Sequence, residues 1–504
     1  MNFMNKDKNY KVVIKDAFWQ IVGRIVSALG FIVLQLTTPY LPLRFDYNTI
    51  LKYFAIWSAL ADFGLYVMLR ELGALREEVA HLPEAEQKEK LSTYYSKFVM
   101  SRVVTVAVVY GVALLIAYMI PSYRENPYLV RLPIGMLFSA TFMLAGIVQL
   151  PLQLYWKMEQ VSIGLTVARV AQLAIMVAVL WLFPQPFDSG GLLPFVLIIG
   201  TVLVSGLGQM LYVHFMSERY IKLKPLFDLQ FTRHHIRSNR QYGIAYYLSS
   251  FHTLAVSILM SVIYPTSKFI YVGIWLALSL IEILLIIPSS LGNSMIHKVS
   301  LELKDKLGHF GHLMSLLLWI GGLVIVNFVV RREHIIYFIA KQEYLTRFLS
   351  SQAEFTIGSD WILPFLGVVI MMSFAKQVFN YIFVSTGYQN KLLNVNARGL
   401  IVGLGIGFGF IVTQNLIGGV ITQMTLEALY LVGAWIVAYR AGVVPILRWR
   451  ELGLLSIILV IAGFGYYYAS DLVLYSSKLF VISALFNLIV AMSYPWVKKI
   501  AKGM

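Results

Sequence analysis

The sequence contains no cysteine. That excludes a disulfide framework, a thiolate metal site and a cysteine nucleophile. Charge is scarce as well: 13% of the 504 residues are Asp, Glu, Lys or Arg, against about 25% in ordinary soluble domains. No GxxxxGK(S/T) phosphate loop and no HExxH zinc motif occurs, so neither ATP hydrolysis by that route nor zinc hydrolysis is expected. The pair His234–His235 stands in a basic loop without a third ligand at metal spacing. No metal, no cofactor and no enzymatic activity is expected, because the extramembrane segments are too short to fold as a catalytic domain. What the chain has in excess is apolar surface. Hydrophobic residues make up 59% of it, in long runs from end to end, and the expected solvent is therefore a bilayer.

The expected fold class is all-α: a polytopic membrane protein of about 14 transmembrane helices. Candidate spans fall near 17–40, 48–70, 98–120, 132–154, 160–183, 193–216, 243–263, 269–292, 311–330, 361–385, 399–419, 420–440, 452–469 and 479–496. Each is close to the ~20 residues that cross ~30 Å of hydrocarbon, and a helix satisfies its own backbone there. The first apolar run has no small-residue cleavage site and reads as a retained span. The net charge is +16, but the cations lie in short loops and not on a soluble face, so no nucleic-acid partner is expected. Their distribution places both termini in the cytoplasm. One segment, 331–355, carries cations on the opposite side. Its helical apolar spacing predicts an interfacial amphipathic helix, with an extra short span as the rival reading.

IWSALADF from Ile56 and IWLALSLI from Ile274 form a weak repeat. It predicts two six-helix lobes around a central cavity, residues 1–216 and 243–440. They are joined by a basic cytoplasmic linker, 217–242, and followed by two appended spans in 441–504. Secondary transporters are often built from such repeats, with the substrate site between them. The glycine-rich run GLIVGLGIGFGFIV, 399–412, lies within a span and has no acidic partner after it. It reads as a close helix contact and not as a nucleotide fingerprint.

A charge at mid-bilayer is costly, so it faces water or a partner. The first span, WQIVGRIVSALGFIV at its heart, carries Arg24 on a polar stripe with Gln20, Ser27, Gln35 and Thr38. Lys52, Arg102, Arg169 and Lys376 stand on four further spans. Together these five cations could line one hydrated vestibule, where low-dielectric walls strengthen the field and arginine suits phosphate. Snorkelling is the rival reading for Lys52, Arg102 and Arg169. A structural ion pair is the rival for Arg24, with Asp62, and for Lys376, with Glu282. Asp62, Glu282 and Glu427 are the embedded acids; Asp62 or Glu282 is the candidate for ion coupling.

KDAFWQIVGRIVSALGFIV in the first span, ALADFGLYVMLREL in the second and IYVGIWLALSLIEILLIIPSSLGNSMIHKVS at 270–300 resemble the polysaccharide transporter family. These are the O-antigen-type lipid-linked oligosaccharide flippases of the multidrug/oligosaccharidyl-lipid/polysaccharide exporter superfamily. The resemblance implies alternating access around a cationic cavity. It also implies a polyprenyl-diphosphate-linked glycan moved from the cytoplasmic to the outer leaflet of a bacterial or archaeal plasma membrane. By position, Arg24 carries over as a substrate-binding residue; Lys52, Arg169 and Lys376 carry over only as a residue type. A coupling proton or sodium ion, membrane lipids and glycan polymerases would be the partners. The segment LPLRFDYN between spans one and two lacks the glycine usual in the family. A drug/cation antiporter of the same superfamily and a membrane enzyme of glycan assembly are the alternatives.

Overall fold

The computed structural model describes residues 65–119, 140–182, 192–263, 303–340 and 359–472, apart from 142, 143, 156, 225 and 448, together with Trp19, Leu284 and Pro288. Every regular element among the described residues is helical. In chain order they are α1 (Leu65–Glu78), a 3-10 turn (Val79–His81), α2 (Glu84–Met119), α3 (Leu150–Leu154), α4 (Met158–Leu182), α5 (Leu192–Glu218), α6 (Leu229–Ile263), α7 (Leu303–Val330), α8 (Arg332–Ala340), α9 (Ser359–Ser385), α10 (Gln389–Arg440) and α11 (Trp449–Leu472). The protein is an all-α polytopic membrane protein. Five stretches among the described residues are long and apolar enough to cross a bilayer: Glu84–Ile116, Leu307–Val330, Asp360–Ser385, Lys391–Thr413 and Ile417–Arg440. Their outward residues are what hydrocarbon accepts and water does not. Val108, Leu115 and Met119 on α2, and Ile401 and Phe408 on α10, are all more than half exposed.

The chain divides into two compact units, Met1–Phe251 with Asn293–Val299, and His252–Gly292 with Ser300–Met504. In the first, α4 packs along α5, and α1 packs on α2 and α3. Its core joins Leu72, Leu91, Tyr95, Phe98, Ile147, Leu152 and Val213. In the second, α9 lies between α7 and α10, and α11 flanks α7. Two thirds of the apolar window of α9 is buried, so a helix that reads like any other span is in fact the centre of its unit. The amphipathic spacing at 331–355 is realised as α8 up to Ala340, packed on α7 and α9 with Ile336 buried. The Arg332 guanidinium lies 4.2 Å over the Trp361 ring. Residues 341–355 lie outside the described part.

Two helices begin well before their apolar windows. α2 starts at Glu84, with two acids in its first turn, where negative charge complements the helix dipole. α6 starts at Leu229, inside the segment expected to be a loop. Its start is fixed by Asp228, whose Oδ1 accepts from the Phe231 N–H at 2.9 Å, the N-cap geometry. The other carboxylate oxygen accepts from Lys97 Nζ at 2.8 Å, which ties the entry of α6 to α2. The Lys97 ammonium first, and then the Phe231 N–H, hold the Asp228 carboxyl below its usual value of 3.8.

α10 is helical over 52 residues, and a straight helix of that length would span about 78 Å, more than twice the hydrocarbon core. It is a hairpin. The Thr422 hydroxyl donates to the Gly407 carbonyl at 3.0 Å, although 15 residues of straight helix would separate them by about 22 Å. Gly399 faces Tyr430, Gly403 faces Leu426 and Gly407 faces Thr422. That is one antiparallel register between the arms Lys391–Thr413 and Ile417–Arg440. The three glycines recur every four residues on one face, so the arms meet backbone to side chain. A Cβ on Gly407 would stand 2.0 Å from Thr422 Cγ2. The hairpin ends in a left-handed Gly442 with φ 67°. There the Gly442 N–H reaches the Tyr439 carbonyl and the Val443 N–H the Ala438 carbonyl, the pairing that closes a Schellman C-terminus.

Gly407→Val should destabilise the purified protein by roughly 1–3 kcal/mol, the usual cost of overpacking. Gly405→Val and Gly409→Val, where a Cβ meets nothing within 4 Å, should leave the melting temperature in detergent unchanged. At Asp228 the sign follows from a folded pKa below the unfolded one. The stabilisation is fully present above the unfolded carboxyl value and is lost as pH falls through the lower folded value. Asp228→Asn should therefore lower the melting temperature at neutral pH, and the gap to wild type should narrow as pH falls through the lowered carboxyl value.

Candidate functional site

The second unit holds a buried polar cluster built from three helices. On α9, Ser373, Lys376 and Asn380 share a face at three- and four-residue steps, as do Gln423, Glu427 and Tyr430 on the second arm of α10. Lys376 and Glu427 are 2% and 1% exposed, and Lys376 Nζ donates to Glu427 Oε1 at 2.7 Å. The same oxygen accepts a long bond from Gln423 Nε2, 3.4 Å. The Lys376 ammonium lies 5.6 Å from the centre of the Tyr430 ring, and the Tyr430 hydroxyl donates to Asn380 Oδ1. His252 on α6 packs edge-on to Tyr430. Its Nε2 is 3.1 Å from the Asn396 carbonyl on the first arm of α10. Three buried atoms of the cluster have no hydrogen-bond partner among the described residues: Glu427 Oε2, Gln423 Oε1 and His252 Nδ1.

A lone ammonium or carboxylate at this depth would be untenable, and the pair neutralises both. Among the described residues its geometry is nonetheless incomplete, since Glu427 uses one oxygen and the other meets no donor. A proton, a water or an incoming donor can occupy that second oxygen. Sequence reasoning left a pair of Lys376 with Glu282 open; among the described residues, the acid that reaches Lys376 is Glu427. Among the described residues no group of His, Asp and Glu has the arrangement of a metal site.

In the first unit, Arg102 on α2 is 1% exposed, which places it inside the unit and not snorkelling into water. Arg169 on α4 is half-buried, and its Nη1 donates to Gln172 Oε1 at 2.6 Å. Ser162 and Gln172 are buried, the Ser162 hydroxyl donates to the Trp19 carbonyl, and Ser205 on α5 caps the Ala168 carbonyl at 3.0 Å. Arg24, Lys52, Asp62 and Glu282 lie outside the described residues.

The pair makes a specific stability prediction. Lys376→Met should cost about 3–5 kcal/mol because it strands a buried carboxylate. The double variant Lys376→Met/Glu427→Leu should recover most of that loss, read as the melting temperature in detergent.

No family model and no curated protein matches the sequence. Solved structures do share its fold. The eukaryotic MATE transporter AtDTX14 aligns over 86% of this chain and 96% of its own, with a TM-score of 0.64 at 14% identity. An outward-facing multidrug resistance MATE family transporter of the MOP superfamily aligns over 86% and 96%, with a TM-score of 0.64 at 12% identity. A MOP superfamily transporter from Pyrococcus furiosus, described as having a binding pocket of reverse polarity that suggests a different function, aligns over 86% and 97%, with a TM-score of 0.61 at 11% identity. At such identities the likeness is one of fold: this chain is built as the MATE transporters are.

Proposed function

We propose that the protein is an ion-coupled flippase that moves an anionic, polyprenyl-diphosphate-linked oligosaccharide from the cytoplasmic to the outer leaflet by alternating access. The observation that carries this reading is a lysine ammonium, 2% exposed, at the middle of a membrane-spanning helix and held by a single carboxylate oxygen. A transporter of cationic drugs has no evident use for a buried fixed cation, whereas a carrier of diphosphates does. The shared fold with transporters supports the transport class, and the reverse-polarity pocket described for the Pyrococcus furiosus protein shows that this fold is compatible with altered pocket charge.

In this reading Lys376 binds the diphosphate or an acidic sugar, and Arg24, Lys52, Arg102 and Arg169 are further candidate cations for the cargo. Glu427 holds Lys376 when no cargo is present. Protonation of Glu427 at its open oxygen releases the ammonium for the substrate anion, and loss of the proton recaptures it. Asp62 and Glu282 are further candidates for coupling. The protein sits in a bacterial or archaeal plasma membrane with both termini cytoplasmic, and hands its cargo to glycan polymerases. It performs no covalent chemistry.

One observation favours a second reading. The unmet Glu427 Oε2 is also what a drug/proton antiporter would present to a cationic drug. The two readings differ in what Lys376 does. Vesicles containing the purified protein and a fluorescent lipid-linked saccharide report flipping as the fraction accessible to an added quencher. The folded double variant Lys376→Met/Glu427→Leu should flip at least about tenfold more slowly than wild type, a rise of roughly 1.4 kcal/mol or more in the barrier. Flipping at the wild-type rate would sink the flippase role of Lys376. Proton-driven uptake of a cationic dye that needs Glu427 but not Lys376 would establish the antiporter instead.

A further inference from the structure

The start of α6 carries a feature that the buried cluster does not use. Its first turns pack on α2 through Phe231 and His235. Phe231 lies 5.4 Å from Tyr94 and 5.3 Å from Phe98 by ring centres. The opposite face is exposed and mixed. Phe227, Leu229 and Ile236 are 52%, 65% and 40% exposed, and the exposed Arg233, Arg237 and Arg240 alternate with them. None of these three arginines forms an ion pair among the described residues. In water such a face would waste apolar surface; at a membrane interface both halves are satisfied, with the apolar side chains shielded within the headgroup layer and the guanidinium groups among its phosphates.

The contacts with α2 fix how deep this face lies. The Lys224 N–H donates to Ser96 Oγ at 2.8 Å, and Asp228 is bound to Lys97. The outward apolar residues of α2 begin at Val103, six residues and about 9 Å beyond Lys97. The headgroup layer is roughly 5–8 Å thick on each side of the hydrocarbon. Lys224 and residues 226–231 therefore lie at the outer margin of the headgroups. Arg233, Arg237 and Arg240 follow along α6 toward the apolar part of the helix, within reach of the phosphates.

We infer that the exposed face of α6 formed by Arg233, Arg237 and Arg240, with Phe227, Leu229 and Ile236, is a docking site for anionic phospholipid headgroups of the surrounding leaflet. Charge complementarity selects this occupant. Among the described residues the face carries three cations without an ion pair and no acid, and its apolar members are spaced between the cations and not gathered into the groove that a protein partner would fill. The arginine fork gives two-point contact with a phosphodiester. The site is independent of the cargo proposed above.

The experiment uses the full chain in phosphatidylcholine vesicles containing either spin-labelled phosphatidylglycerol or spin-labelled phosphatidylcholine. The motionally restricted fraction of each label gives the preference of the protein surface for the anionic lipid. Wild type should prefer phosphatidylglycerol, and raised ionic strength should reduce that preference, as screening requires. Arg233→Ser/Arg237→Ser/Arg240→Ser should lower the preference at least about fivefold, toward parity, whereas the corresponding triple lysine variant should keep most of it. Phe227→Ser/Leu229→Ser should weaken it further in either background. An undiminished preference in the folded triple serine variant would overturn the inference, as would a wild-type preference insensitive to salt; either result leaves the face to a protein partner.

Discussion

An ion inside hydrocarbon cannot stand alone, and much of the second unit is arranged around that constraint. Lys376 could be buried at the centre of α9 only because Glu427 reaches it from α10. Glu427 can reach it only because α10 folds back on itself, and α10 folds back closely only because Gly399, Gly403 and Gly407 remove the side chains that would hold its arms apart. The order of dependence runs from glycine spacing to hairpin to ion pair. His252 and Tyr430 then pack beside it, His252 Nε2 against the Asn396 carbonyl of the hairpin and the Tyr430 hydroxyl against Asn380 of α9.

The first unit meets the bilayer differently. Its charged groups near the aqueous boundary are shared between helices. Asp228 serves at once as the cap of α6 and the partner of Lys97, while Glu71 lies 3.5 Å from His235 on the buried side of α6. Such pairs are individually modest where water competes. Combined with the Tyr94, Phe98 and Phe231 rings, they fix the depth at which α6 enters the membrane. That fixed depth is what gives meaning to the row of arginines on the other face of α6.

Much of this was legible from hydropathy. The runs 160–183, 193–216 and 361–385 anticipate α4, α5 and α9 within a few residues, because a span announces itself through length and apolarity alone. The glycine-rich run at 399–412 was also legible as a close helix contact. The amphipathic beginnings of α2 and α6 were not, since half of each turn there is polar and a window tuned to hydrocarbon passes over it. Asp228, a good N-cap residue ahead of the span, was the local signal that was available. The counter-charge of Lys376 was hidden for another reason. Fifty-one residues separate it from Glu427, and only the reversal of α10 brings them together; spacing offered Glu282 just as readily. Arg24, on which the family resemblance leans most, belongs to the part of the chain outside the described residues.

The reversal in α10 also bears on how the chain is made. Its arms are joined within 414–416, so almost no hydrophilic connection has to be carried through the lipid during biosynthesis. Neither arm alone covers its bare glycine face. The two are therefore suited to enter the membrane as one preassembled unit, which carries the acid that meets Lys376 to mid-depth on its second arm.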